Sequence, residues 1–312
     1  MDAPSAFIAD GLTKTFPGGT TALDGLSVAV PRGAVGLVGA NGAGKTTLFR
    51  LLLGLIRPTS GRVEVCGAAV ATDPIGVRRR LGFMPEHDCL PPDQTAADLV
   101  ATFGELSGLP PRAARQRASD VLDLVGLDEA RFRSMDGFST GMRQRTKLAQ
   151  AIVADPELVL LDEPTAGLDP MGREEMLALV DRLGTFGISV VLATHLLDDV
   201  QSVCDHVVMI DGGRLVLDGP THKLLERAGT VRLDVGGRSE ELDRALSGRG
   251  FTTAVLDDGT AEVTADGQGI DDVLDIVRDA VAELGLPLHS LSTGYASLDE
   301  VFLLKASGRA DD

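Results

Sequence analysis

Eight consecutive residues, Gly39-Ala40-Asn41-Gly42-Ala43-Gly44-Lys45-Thr46, fill the pattern G-x-x-x-x-G-K-[ST] directly after an apolar run at 34–38. That run reads as a buried strand, and Thr47 onward continues at helical spacing without proline, so the loop opens a helix whose first N–H groups would face an anion. Gly42 and Gly44 let the backbone approach a phosphate closely. The Lys45 ammonium adds charge near β- and γ-phosphates, and the Thr46 hydroxyl can ligate Mg²⁺.

Two further strand ends carry reactive groups. The apolar run 158–161 ends in Asp162-Glu163-Pro164, and adjacent acids at the end of a buried strand are costly unless a metal or a reaction needs them. The run 189–193 ends in Thr194-His195, where a histidine is either a structural residue or a catalytic one. Ser139 suits the N-cap of a helix running to about Ala154, with Gly141 in its first turn, which makes a second candidate anion site. Phe16 stands at the turn Pro17-Gly18-Gly19 and can either stack on an adenine ring or pack in the core.

The elements that must position these groups alternate along the chain. Strands are expected at 5–10, 22–30 and 62–66, with another ending near 81–84 where Pro85 stops it. Residues 86–138 carry helical patterns at 95–107 and 111–125 and no strand candidate, so a helical insert is expected over about 86–140. Ala166 to Pro170 is a turn before a helix to about Leu183, and strands at 206–211 and 214–218 flank the hairpin signal Asp211-Gly212-Gly213. From about Gly229 the order restarts: strand 230–235, helix 239–248, strands 251–256 and 260–265 around Asp257-Asp258-Gly259, helix 270–284 and strand 288–292. A short amphipathic helix at 297–306 closes it. This β-α-β-β-α-β order reads as a small ferredoxin-like α+β domain.

Composition narrows the function classes. A chain of 312 residues, 44% hydrophobic, has the core of one large domain or two smaller ones. Its net charge of −17 argues against a nucleic-acid groove or a polybasic lipid-binding face. Residues 230–312 hold seven Lys/Arg and seventeen Asp/Glu, so the second domain carries most of that acidity. Cys66, Cys89 and Cys204 form no CxxC pair and the histidines no HExxH, so neither a disulfide framework nor a zinc site is suggested. The start of the chain lacks a signal-peptide pattern and no apolar stretch reaches the ~18 residues of a membrane span. Cytosol is the expectation, and another chain would supply any spans.

The ordered motifs resemble the ATPase subunit of ATP-binding-cassette transporters over roughly 5–228, with six motifs in sequence at compatible spacings. The wording of 138–145 and the tail Ser297-Leu298-Asp299-Glu300-Val301-Phe302 resemble the drug- and sodium-export branch, whose permeases are separate polypeptides. The resemblance implies an α/β fold: a P-loop NTPase cassette over 1–228, with a mixed core sheet and a helical subdomain, followed by the small accessory domain over 229–312. It makes Phe16 the adenine-stacking aromatic and Gly39 through Thr47 the phosphate cradle. Thr46 and Asp162 become Mg²⁺ partners, Glu163 the general base, and His195 the γ-phosphate contact. It also implies that Ser139 and Gly141 meet ATP bound to another subunit, with Asp169 in the turn at that interface. Two copies, or this chain and a related cassette, would sandwich two nucleotides on the cytoplasmic face of the membrane and drive a permease; no nucleic-acid partner is expected.

Four positions depart from the family pattern. Ala40 replaces a proline, which should only loosen the loop. Thr140 and Met142 replace a glycine and a glutamine of the signature while Gly141 is kept. Glu86 stands where the family has a glutamine that touches Mg²⁺ or the attacking water; a carboxylate can take a metal but cannot donate as an amide does. A soluble cassette ATPase of translation or DNA repair is the competing class, but such relatives typically carry two cassettes or a long coiled coil. Here one cassette is present, with Ser139 94 positions after Lys45. A regulatory module without turnover would not need Glu163.

Overall fold

In the computed structural model, which describes residues 5–87, 89–227, 230–247, 251–256, 259–264, 270–294 and 298, two different kinds of sheet build the first part of the chain. The antiparallel kind pairs β1 (Ser5–Thr15) with β2 (Thr21–Pro31), and both strands show the mixed burial of sheets with one covered face. The parallel kind begins with β3 (Ala34–Val38), which leads into α1 (Lys45–Leu52). Strands β4 (Ser60–Val65) and β5 (Ala68–Ala69) complete the antiparallel sheet in the order β2-β1-β4-β5. Helix α2 (Pro74–Arg80) precedes β6 (Leu81–Met84) and has no counterpart in the expected element order. Its signal lay in the sequence nonetheless: Asp73 caps it by accepting from the Gly76 N–H at 2.8 Å, and Pro74 occupies the first helical position.

The helical insert consists of α3 (Ala96–Leu106), α4 (Pro111–Leu124), two short 3-10 turns at Asp128–Phe132 and Met135–Gly137, and the start of α5 (Thr140–Ile152). Beyond it come β7 (Leu158–Asp162), α6 (Pro170–Thr185), β8 (Ser189–Thr194), α7 (Leu197–Val203), β9 (His206–Asp211) and β10 (Arg214–Pro220). The six-stranded sheet runs β10-β9-β3-β8-β7-β6, with parallel pairing from β9 across to β6. Every residue of β7 and β8 is buried, which explains why these strands read as unbroken apolar runs and not as alternation. Phe7, Leu12, Leu23, Phe49 and Leu160 belong to one buried cluster that joins both sheets and α1.

Parallel register decides where the chemistry goes. Val38 pairs with Thr194, Ala193 with Asp162, and Leu161 with Met84. The residues that follow β3, β8, β7 and β6 therefore emerge side by side at one edge of the sheet: Gly39, His195, Glu163 and Pro85-Glu86. Ligands of open parallel sheets bind at this carboxyl edge.

The chain divides into two compact units, 1–218 and 219–312. The second contains α8 (Thr221–Arg227), β11 (Thr230–Asp234), α9 (Ser239–Ser247), β12 (Thr252–Val255), β13 (Ala261–Thr264), α10 (Ile270–Glu283) and β14 (Ser290–Gly294). Its antiparallel sheet has the order β12-β13-β11-β14, the ferredoxin-like arrangement expected from β-α-β-β-α-β. Val231, Leu233 and Val263 on one sheet face pack with Leu242, Leu246, Val273 and Val277 of the two helices. Asp257 and Asp258 of the expected turn lie outside the described residues, as does the expected closing helix at 297–306 apart from Leu298.

Candidate active site

The phosphate loop is held by close backbone packing. A Cβ at Gly39 would lie 2.4 Å from the Ile210 carbonyl oxygen, and one at Gly44 2.5 Å from that of Ala22. Gly42 and Gly44 adopt φ of 84° and 108°, the left-handed region where a side chain is strained. Gly44 caps α1 without any side-chain bond to the helix, and the first turn contains no acid, so the N–H groups there are open to an anion. Ala40, Asn41 and Gly42 are exposed at the loop's crest, while Thr46 and Thr47 are half-buried behind it.

Charged groups converge below this loop with very little exposure. Lys45 is 6% exposed; its Nζ donates to the Gly39 carbonyl at 2.5 Å and lies 3.6 Å from Glu163 Oε1. The Thr46 hydroxyl donates to Asp162 Oδ2 at 3.1 Å. Asp162 Oδ1 is buried without a hydrogen-bond partner. Burial raises the Asp162 pKa above 3.8, opposed by the Thr46 hydrogen bond, reinforced by the charges of Glu86 and Glu163, and opposed by Lys45. A carboxylate oxygen without a hydrogen-bond partner, beside a hydroxyl, is a donor set that fits a hard divalent cation. Among the described residues no three His, Cys, Asp or Glu side chains cluster to hold a metal. An ion here would rely on Thr46 and Asp162 together with phosphate oxygens and water, as Mg²⁺ commonly does.

Glu163 is 5% exposed and has φ of 49°, a left-handed conformation unusual for a residue with a Cβ. Its N–H donates to the Ala193 carbonyl at 2.9 Å, which anchors the turn to the end of β8. Its carboxylate accepts from the Thr194 hydroxyl at 3.3 Å and lies 3.0 Å from His195 Nδ1. The His195 side chain is 49% exposed, so one ring edge meets Glu163 while the rest faces outward. Glu86 is exposed in the loop after β6, and its carbonyl accepts from the buried Lys147 ammonium at 2.9 Å. Phe16 is half-exposed and no member of the buried core, and Lys14 Nζ stands 5.2 Å from its ring centroid.

Ser139, Gly141 and Asp169 assemble elsewhere, around an open cleft of about 550 Å³ to which the phosphate loop contributes nothing. Ser139 caps α5 by accepting from the Met142 N–H at 3.3 Å, and Asp169 caps α6 by accepting from the Gly172 N–H at 2.9 Å. An Arg145–Glu175 ion pair joins the two helices across the cleft. Spacing along the chain gave no sign of Lys147 or the Gln144 side chain, whose Nε2 donates to the Ala166 carbonyl at 3.1 Å. Each reaches a partner set by the fold and not by sequence neighbours.

The parallel sheet, the glycine loop and the set of Lys45, Thr46, Asp162 and Glu163 define a P-loop nucleotide triphosphatase. Residues 23–166 match the family model described as ABC transporter. The chain is 38% identical over 310 residues to the daunorubicin/doxorubicin resistance ATP-binding protein DrrA of Streptomyces peucetius, covering 97% of this chain and 92% of that protein. It is 36% identical over 217 residues to the Nod factor export ATP-binding protein I of Ralstonia nicotianae, covering 69% and 67%. Among solved structures, cbiO1 from Clostridium perfringens, part of the ABC transporter complex cbiONQ, superposes with a TM-score of 0.65 at 28% identity, covering 71% of this chain and 90% of that one. The chain belongs to the ABC transporter family and is an ATP-binding, ATP-hydrolysing subunit. These relatives favour transport over translation or DNA repair, and the likeness to DrrA extends past residues 5–228 into the accessory unit. No helix among the described residues is long and apolar enough to cross a membrane.

Proposed function

We propose that this subunit powers export through a permease on a separate chain, working from the cytoplasmic face of the membrane as a homodimer or paired with a related cassette. The observation that carries the mechanism is the Glu163 carboxylate, buried between Lys45 and His195 at the sheet edge where the phosphate loop emerges. In this reading Phe16 stacks on adenine, and Gly39 through Thr47 cradle the phosphates with Lys45 countering their charge. Thr46 and Asp162, with Glu86 nearby, hold Mg²⁺, which when bound neutralises charge on the β- and γ-oxygens. Glu163 takes a proton from water as the water oxygen bonds to the γ-phosphorus and the bond to the bridging β,γ-oxygen breaks. His195 has Nδ1 engaged by Glu163, which leaves Nε2 for the γ-phosphate.

The separate cleft supports the dimer. Ser139, Gly141 and Asp169 line an opening without a phosphate loop of its own, so a second subunit's nucleotide is the ligand that fits it. The working division is a cassette over 1–228, with its helical insert at 86–140, and an accessory domain over 229–312. Names of relatives that refer to resistance and export support the direction of transport.

Turnover and light scattering on one variant test this reading. Glu163→Gln should keep ATP affinity, lose about 100-fold or more of turnover, and accumulate as an ATP-dependent dimer, because the base is gone and the cradle intact. Turnover equal to the parent would assign the base to another group. A strictly monomeric species at high concentration, with the permease also present, would remove the sandwich.

A further inference from the structure

One buried carboxylate outside the catalytic set joins three segments that the mechanism treats separately. Asp199 lies in α7, four residues after His195, and is fully buried. Its Oδ2 accepts from the Thr165 hydroxyl at 2.6 Å, and its Oδ1 pairs with the Arg173 guanidinium. Thr165 is 4% exposed and follows Glu163 by two residues in the same turn. Arg173 lies in α6, and its N–H donates to the Asp169 carbonyl at 2.9 Å. Thus the turn bearing Glu163, the helix that Asp169 caps and the helix that follows His195 all meet on Asp199.

This junction is tight where the backbone most needs support. Glu163 is strained at φ 49°, and its turn is closed by Ala166 N–H to Glu163 O and by Leu168 N–H to Thr165 O at 3.1 and 3.2 Å. The Thr165–Asp199 bond ties that turn to α7 from below. Burying a charge pair rarely adds stability over apolar residues of similar volume, so its use here calls for a role in geometry.

We propose that Asp199 is a positioning residue: through Thr165 and Arg173 it locks Glu163, His195 and Asp169 in one register, so that the γ-phosphate contact and the partner-facing turn move as a unit. The proposal rests on the roles given above to Glu163 and His195.

Steady-state ATPase kinetics on the full chain, with thermal unfolding in parallel, test it. Thr165→Val, which removes only the hydroxyl, should lower kcat about 10- to 100-fold with ATP KM changed less than about twofold, as expected when a catalytic group is misplaced but binding is spared. Thr165→Ser should return kcat to near the parent. The combined variant Thr165→Val/Arg173→Met/Asp199→Leu replaces the polar junction with apolar side chains and should unfold within a few degrees of the parent while kcat stays low. Parent-like kcat in Thr165→Val, or kcat that recovers together with stability in the combined variant, overturns the proposal. The Thr165 pair decides the matter even if the combined variant does not fold. Glu163→Gln measured alongside separates the two levels: if it keeps turnover, the assigned base is wrong; if it loses turnover while the Thr165 and Asp199 changes do not, only the positioning role falls.

Discussion

The phosphate loop and the Ser139 cleft are both built on helix N-termini, yet they differ in what they hold in reserve. Below the loop, Lys45, Asp162 and Glu163 are buried with charges only partly matched inside the chain, and one Asp162 oxygen has no partner. Around the cleft, Ser139 and Asp169 spend their oxygens on capping their own helices, and Arg145 and Glu175 satisfy each other. The first site is complete but electrostatically unbalanced, and a phosphate with a cation would balance it. The second is balanced but incomplete, a surface shaped for something that another molecule brings.

If that contrast holds, the two sites break differently. Lys45→Ala should weaken ATP binding by about 10- to 100-fold, from the ~1.5–3 kcal/mol typical of hydrogen bonds to charged groups. Equilibrium binding of a fluorescent ATP analogue measures it, and unchanged affinity would remove the loop from the site. Gly141→Asp should behave in the opposite way. A Cβ there meets nothing closer than 3.8 Å, and an acid in the first turn of α5 suits the helix dipole, so folding and loop affinity should persist. The new charge would oppose a partner's phosphate, and ATP-dependent dimerisation and turnover should fall by about 10-fold or more, the scale of a misplaced like charge. A variant that loses ATP affinity as a monomer would place Gly141 at its own subunit's nucleotide.

Sequence legibility tracks the same contrast. The loop site was readable because β7 and β8 are buried throughout and β3 all but its first residue, so each motif stood at the close of an apolar run. Parallel register then placed those ends together, and only the fold could supply that step. The cleft was readable in the capping residue Ser139 and in the turn that ends at Asp169-Pro170, but their convergence was not, because it depends on how the fold brings α5 and α6 together. Lys147 and Asp199 were not legible at all. A lysine or aspartate on a helix is ordinarily a solvated residue, and only burial against the Pro85-Glu86 carbonyls or beside Thr165 and Arg173 gives it another meaning. Helix α2 carries the capping signal Asp73-Pro74, but at seven residues with Val77 alone buried it shows no apolar periodicity.

The smallest expected effect concerns Glu86, where the imbalance below the loop is most adjustable. Its charge is one of those that raise the Asp162 pKa, yet Glu86 itself is exposed, so solvent screens the interaction. Because the folded-state pKa of Asp162 lies above 3.8, folding of the metal-free protein is favoured by this group below that value, and the benefit is lost as pH rises through the raised pKa. At neutral pH the ionised carboxylate is therefore held at a cost that a bound cation relieves, and Glu86 adds to that cost. It also contributes attraction for the cation, so both effects favour a bound ion. In the proposed role Glu86 serves the metal mainly by making its absence unfavourable. Glu86→Gln should then raise the half-saturating Mg²⁺ for ATPase activity by about two- to fivefold, the range of a screened surface interaction. The Lys147 ammonium bonds to the Glu86 carbonyl and not its side chain, so the loop should keep its path in the variant. Coincident half-saturation values for parent and variant would mean that Glu86 points away from the metal. A lower requirement in the variant would mean that the Glu86 charge hinders the metal and has no part in holding it.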